Sequence, residues 1–388
     1  MVKQMGNVTQ IYSLVNASVA DALGSYSVRA KDTTSFVDLG KSLSDYQLDA
    51  FFGALACRIA KTVEFVRLYE RNKRRVITDD LTFGAFIQKV YTDLPDAVSN
   101  PSWSVSNGSN PPTISRANPY GVTTTIAVTT KLFGKLGTWS VEVCYPTKQI
   151  RQAFTSETEM LVFIDAINTT IENSYNKEVE AVESLAVATG IALCLKNNKA
   201  TNVLAVYNEK SGRSLTVSTC ADDAKYLAFE AETIMKTAKY MRNMSRVFNS
   251  AGYATFTPED KLILEVLTTY ATASQVYLQA NTYHDEMVKL PGYNEVDFWQ
   301  GSGTSFADAD VSSINIKNDD IDKNNAIVQS GVVAYIRDEE AVRAHFSERY
   351  TWEDINKRDR LVTHGEQADK GFAVEPHANG WVFYRANS

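Results

Sequence analysis

The chain has 388 residues, of which 44% are hydrophobic and 22% charged, and a formal net charge of −7. That length exceeds what one core usually covers, so two or three lobes are expected, and the composition excludes wholesale disorder. The acidic balance argues against a protein whose main task is gripping nucleic acid, but not against one that sits beside it.

The opening "MVKQMGNVTQIYSLVNASVA" has no continuous apolar run after Lys3 and does not read as a signal peptide. No later run reaches the ~18 apolar residues of a membrane span. Residues 1–40 are polar and weakly periodic, which predicts an extended arm. "LSDYQLDAFFGALACRIA", residues 43–60, has helical spacing, with Ser44 or Asp45 as cap.

"VEFVRLY" and "GAFIQKVY" are rich in β-branched and aromatic residues and read as the two strands of a long hairpin. The piece between them, "ERNKRRVITDD", is its tip. Arg67, Arg71, Lys73, Arg74 and Arg75 form the densest basic cluster of the chain, interleaved with Glu70, Asp79 and Asp80. A hairpin this polar has little core of its own and needs a surface from something else. Its mixed signs favour a protein partner over a phosphate backbone.

Residues 95–121 carry five of the nine prolines and read as a loop. "GVTTTIAVTT" and "WSVEVCYP" are strand candidates. Then comes "IRQAFTSETEMLVFIDAINTTIENSYNKEVEAVESLAVATG". Ser156 and Glu159 fit a capping box, and Met160, Ile164, Ile167, Ile171, Tyr175, Val179, Val182 and Ala186 recur at helical spacing. Gly190 stands where a left-handed C-cap belongs. A helix from Glu157 to Thr189 would span about 50 Å at ~1.5 Å per residue, and its one-sided stripe lays it along a sheet or lobe.

"SLTVSTC" reads as a short strand. A second long helix follows, with Asp222 and Asp223 at its positive end and the stripe Leu227, Ala231, Ile234, Ala238, Met241, Met244, Phe248, closed by Gly252. "YATF" is a brief strand. Thr257 and Pro258 then look like the cap and first position of a third helix running through "KLILEVLTTYATASQVYL". Residues 290–326 are loop-rich. "AIVQSGVVAYIRDEEAVRAHF" gives a buried strand and a charged segment, and "KGFAVE" and "GWVFYRA" are the last strands.

Catalytic signatures are missing: no P-loop, GxGxxG, GxSxG or HExxH occurs. His284, His345, His364 and His377 are the only histidines. His284 beside Asp285 reads as a helix surface, and His364 and His377 as loop residues. "NDDIDKNN" and "DADVSS" lack the glycine and terminal glutamate of a calcium loop and read as solvated. Cys57, Cys144, Cys194 and Cys220 form no CxxC pair and read as scattered thiols in a reducing compartment. No catalytic residue, cofactor or metal is assigned, and the chain reads as a non-enzyme whose stability comes partly from neighbours.

The order of elements resembles the major capsid protein of tailed bacteriophages, an α+β chain of the HK-97-like fold. "IQKVYTDLPDA" is similar to the exit of the extended loop, and "IRQAFTSETEMLVFIDAINTTIENSYNKEVEAVESLA" to the spine helix, in small podoviruses of the phi-twenty-nine type. "GVVAYIRDEEAV" resembles the late strand that returns from the axial to the peripheral domain. The resemblance implies an N-terminal arm and short helix over 1–62 and an extended hairpin loop over 63–98. It implies a peripheral domain over 99–218 and 327–388 around the long spine helix, and an axial α/β domain over 219–326. It implies a virion protein that self-assembles into hexamers and pentamers of an icosahedral head around double-stranded DNA, without sequence-specific binding and with no membrane. Assembly would take place in the host bacterial cytoplasm. Arg67, Arg71, Lys73, Arg74, Arg75, Asp79 and Asp80 would then contact the adjacent subunit. Scaffolding, portal and head-decoration proteins are the further partners implied. The alternatives are an encapsulin-like nanocompartment shell, another virion part, and a non-shell α+β enzyme or ligand-binding protein.

Overall fold

A computed structural model describes residues 8–23, 29–42, 51, 76–80, 87–94, 128–133, 137–146, 157–281, 293–300, 311–347, 349–356 and 358–387. The helices are α1 (Val8–Leu23), α2 (Thr33–Ser42), α3 (Glu157–Lys196), α4 (Val203–Ser211), α5 (Val217–Cys220), α6 (Ala224–Met241) and α7 (Thr268–Asn281). The strands are β1 (Ile77–Asp80), β2 (Ile87–Thr92), β3 (Val128–Phe133), β4 (Gly137–Pro146), β5 (Ala200–Asn202), β6 (Leu262–Leu267) and β7 (Tyr293–Val296). They continue with β8 (Ile314–Ile316), β9 (Ile327–Gln329), β10 (Val332–Asp338), β11 (Val342–Phe346), β12 (Tyr350–Asn356), β13 (Leu361–Val374) and β14 (Gly380–Tyr384). The chain divides into two units, one of residues 1–84, 135–186 and 343–372, the other of residues 85–134, 187–342 and 373–388.

In the first unit, the expected extended arm is helical over α1 and α2. Val15 and Val19, four apart, and Phe36 and Leu39, three apart, are buried. These short apolar faces outweigh the polar average. Asn16 of α1 donates to the Ala30 carbonyl and accepts from the Ala30 amide, both at 2.8 Å. The Asp32 carboxylate accepts from the Ser35 amide at 2.8 Å, and its hydrogen bonds with Ser35 hold it below the usual carboxylate range.

β13 is the hub of the first unit's five-stranded sheet. Residues 361–367 pair antiparallel with β12, and 361–370 with β4, so this part of β13 is flanked on both edges. β1 adds to β11 in parallel, with Asp79 opposite His345 and Asp80 opposite Phe346. α3 packs Val179 and Val182 on Ala344 and Phe346, with Tyr175, Val76 and Phe372 around them. Each such aliphatic side chain stabilises by about 1.5–3 kcal/mol on full burial. Gly365 stands opposite Trp352, and an added Cβ would lie 2.3 Å from its ring. Only a residue without a side chain lets that indole lie against the strand.

In the second unit the sheet runs β5-β14-β10-β6-β7. Leu264, Val266, Ala334, Ile336 and Phe383 meet α4, α6 and α7 on one face. Tyr335 alternates to the other face, where Gly190 and Cys194 of α3 lie against it. The end of α3 is buried on nearly every side from Ala186 to Ala192, which explains its run of small residues. Gly190 is therefore not the C-cap. It sits inside the helix, where a Cβ would come 2.9 Å from the Tyr335 hydroxyl and 3.1 Å from Val342. The helix continues to Lys196, and Asn198 takes the left-handed conformation at φ 56°.

Several local expectations are corrected here. "KLILEVL" is not helix: Leu262–Leu267 is the buried strand β6, next to β10. A strand covered on both faces reads as a continuous apolar run, which periodicity does not separate from helix. Thr257 caps no α-helix but donates to Asp338 at 2.8 Å, ahead of a single 3₁₀ turn. "VSTC" is one helical turn, α5, and not a strand. α6 starts as expected, with Asp223 accepting from the Tyr226 amide at 2.9 Å, but ends at Met241, well before Gly252. His364 is a buried residue of β13 and not a loop residue, and burial pushes its imidazole pKa down. His345 is likewise buried, on β11.

Candidate functional site

The residues expected to contact a neighbour divide sharply. Arg67, Arg71, Lys73, Arg74 and Arg75 lie outside the described residues, as do most of the helix at 43–60, the capping Ser156, Cys57 and His284. Asp79 and Asp80 are described, and their backbone is not at a hairpin tip: it forms β1, an edge strand beside β11. The other strand of the expected hairpin, "VEFVRLY", lies outside the described residues. Among the described strands, β2 pairs with β3 in an antiparallel register from Ile87–Phe133 to Thr92–Val128. The sequence offered no cue for this, because the two strands are separated by the proline-rich stretch.

This two-stranded ribbon belongs to the second unit and has two unlike faces. Val90, Val128 and Leu132 are 59%, 61% and 61% exposed, and the register puts all three on the outer face. On the inner face, Tyr91 stacks on His377 with centroids 3.8 Å apart and planes 8° apart. The Tyr91 hydroxyl donates to Glu375, whose other oxygen lies 3.0 Å from His377 Nδ1. Tyr253 meets the same imidazole edge-on at 4.7 Å. Further exposed apolar residues lie at the end of α6 and after it: Tyr240, Met244, Val247 and Phe256 are each more than half exposed. Single exposed apolar residues need no explanation, but a run of them within 17 positions of one unit marks a candidate contact surface.

The buried polar groups form internal clamps. Arg385 makes a two-pronged pair with Glu230, at 3.1 and 2.5 Å, and lies over Tyr226 and Tyr270 at 5.3 Å from each ring. Burial and the Glu230 charge push both tyrosine hydroxyls up. Arg337 and Glu265, both fully buried, pair at 3.1 Å between β10 and β6. In the first unit, Arg349 binds Glu366 and Glu172 and stacks over Tyr175 at 4.0 Å. Burial pushes the Glu172 carboxyl up, and Arg349 pulls it back. Burial pushes the Cys194 thiol up to about 12, far from a reactive thiolate. Among the described residues no three of His, Cys, Asp and Glu are grouped to hold a metal ion, and no helix is long and apolar enough to cross a membrane. The Arg385–Glu230, Arg337–Glu265 and Arg349–Glu366 pairs each fasten one element to another.

Residues 15–384 match the family model of the Phi29-like phage major capsid protein. Among solved structures, the chain is similar to one in the capsid structure of Staphylococcus phage Andhra, at 12% identity and a TM-score of 0.47, covering 83% of this chain and 89% of that one. It is also similar to one in the capsid structure of the Cyanophage P-SCSP1u, at 10% identity and TM-score 0.44, covering 83% and 91%. A third likeness is to the asymmetric unit of the bacteriophage PhiM1 mature capsid, at 6% identity and TM-score 0.43, covering 83% and 90%. No curated protein gives a significant match.

Proposed function

The chain belongs to the Phi29-like phage major capsid protein family, and from that premise we propose how it works as the structural subunit of a phage head. It is a virion protein and not an enzyme. The observation that carries the reading is the family match over residues 15–384, nearly the whole chain. Copies join head to tail into hexamers and pentamers, because heterologous contacts whose rotation closes make rings. The rings close into an icosahedral shell around double-stranded DNA.

The physical features support this division of labour. Internal clamps such as Arg385–Glu230 and Arg349–Glu366 tie elements together within each unit. The net charge of −7 fits a wall that encloses a polyanion without binding it tightly. The basic stretch Arg67–Arg75 sets the angle and register of a neighbour more than it adds stability. Scaffolding, portal and decoration proteins are the further partners of such a subunit, and assembly takes place in the host bacterial cytoplasm. Electron microscopy of the purified chain, alone and with a co-expressed scaffold, tests the reading. Closed shells, tubes or hexameric plates are expected, and a strictly monomeric chain under both conditions would overturn it.

A further inference from the structure

The β2–β3 ribbon is fastened in an unusual way. Among the described residues, every hydrogen bond from the ribbon to the rest of its unit has a side chain as at least one partner. Lys89 reaches Glu340 at 2.6 Å, Lys131 donates to the Val374 carbonyl at 3.1 Å, and Thr129 meets the Tyr253 hydroxyl at 2.8 Å. Asp93, just past β2, accepts from the Ala254 amide at 3.1 Å. The centre of the contact is Tyr91, stacked on His377 and bonded to Glu375.

The receiving side is built differently. The turn between β13 and β14 is fixed by main-chain bonds on all sides. The Pro376 carbonyl accepts from Ser250 and Ala251 at 2.9 Å, Glu375 donates to Ala341 at 2.9 Å, and Gly380 donates to Phe248 at 2.8 Å. His377 and Glu375 are thus held ready, and Glu375 is 5% exposed. One partner is rigid and the other attached by side chains alone, which is the condition for local opening.

We propose that Tyr91, His377 and Glu375 form a latch that holds the β2–β3 ribbon on its own subunit, and that the ribbon opens as one piece without unfolding of the sheet beneath. A two-stranded ribbon has little stability of its own, so the latch decides whether it is docked. On the shell-subunit reading, the ribbon is then the element that rearranges when a subunit meets its copies, with Val90, Val128 and Leu132 already facing outward.

Hydrogen exchange read by mass spectrometry on the unassembled full chain tests the latch. Tyr91→Ala and His377→Ala should each raise amide exchange at residues 87–92 and 128–133 by tenfold or more, in both strands together. Residues of β6 and β10 should keep their original rates. The double variant should add little to either single one, because the two rings act as a pair. Tyr91→Phe, which keeps the ring and removes only the bond to Glu375, should give a smaller rise and guards against misfolding of the alanine variants. Unchanged ribbon exchange in both alanine variants would overturn the proposal, and so would a parallel rise in β6 and β10. Shell formation scored by microscopy on the same preparations bears on the shell reading alone, so the two ideas can fail separately.

Discussion

Single residues fix how closely the layers approach. Gly365 is the sharpest case, because its neighbour is a ring on the paired strand and not the end of a flexible chain. Gly365→Val should destabilise the first unit by about 3 kcal/mol, read as a lower urea midpoint with an unchanged slope. The Glu230–Arg385 pair gives a second test. Glu230→Ala strands a buried guanidinium and should cost about 3–5 kcal/mol, whereas Glu230→Met with Arg385→Met should recover much of the loss. Asp322 gives a pH test. The hydrogen bond from Lys196, followed by the amides of Asn324 and Asn325, holds its carboxyl down at about 2. A lowered folded pKa means stability that is present above the ordinary carboxylate value of 3.8 and lost as pH falls through about 2. The stability advantage of the native chain over Asp322→Asn should therefore be constant above about pH 5 and shrink between pH 4 and 2, as measured by denaturant titration at each pH.

At the scale of elements, what the sequence discloses depends on whether an element has one buried face or two. The stripes Ile167, Ile171, Val179, Val182 on α3 and Leu227, Ala231, Ile234, Ala238 on α6 are buried as their spacing predicts. Each helix there has one wet side, so periodicity survives. The same signal disappears where both faces are covered. β6 reads as helix, and α3 beyond Thr189 reads as a helix that should already have ended. Gly190 is there because Tyr335 leaves no room for a methyl group. Gly190→Ala would gain ~1 kcal/mol of helix propensity in an open helix, but here it must displace a fully buried ring. Net destabilisation is expected, visible as a fall in thermal midpoint. The ribbon was illegible for another reason: β2 finds its partner across the proline-rich stretch, and local sequence rules assume near neighbours.

At the scale of the whole molecule, the sequence pattern identified the family better than it identified any one contact. A subunit of a shell carries its function in surfaces spread along the chain, so no short motif marks it, and the order of elements is the legible signal. The role proposed for the basic stretch is tested only in assembly. Asp79 and Asp80 should be left alone in any test, because their backbone pairs with β11 and its loss would confound folding with contact. Charge reversal of the four clustered cations, Arg71→Glu, Lys73→Glu, Arg74→Glu and Arg75→Glu, avoids that. If these residues meet an acidic neighbour, the variant should keep the native thermal midpoint within a few degrees yet assemble at least tenfold more slowly by light scattering. Native assembly should slow as salt rises from 0.05 to 0.5 M on the order of the shortening Debye length, while the variant should lose that dependence. Equal assembly rates and equal salt slopes for the two proteins would remove the stretch from the contact surface and leave the apolar residues of the ribbon and the segment after α6 as the places where copies meet.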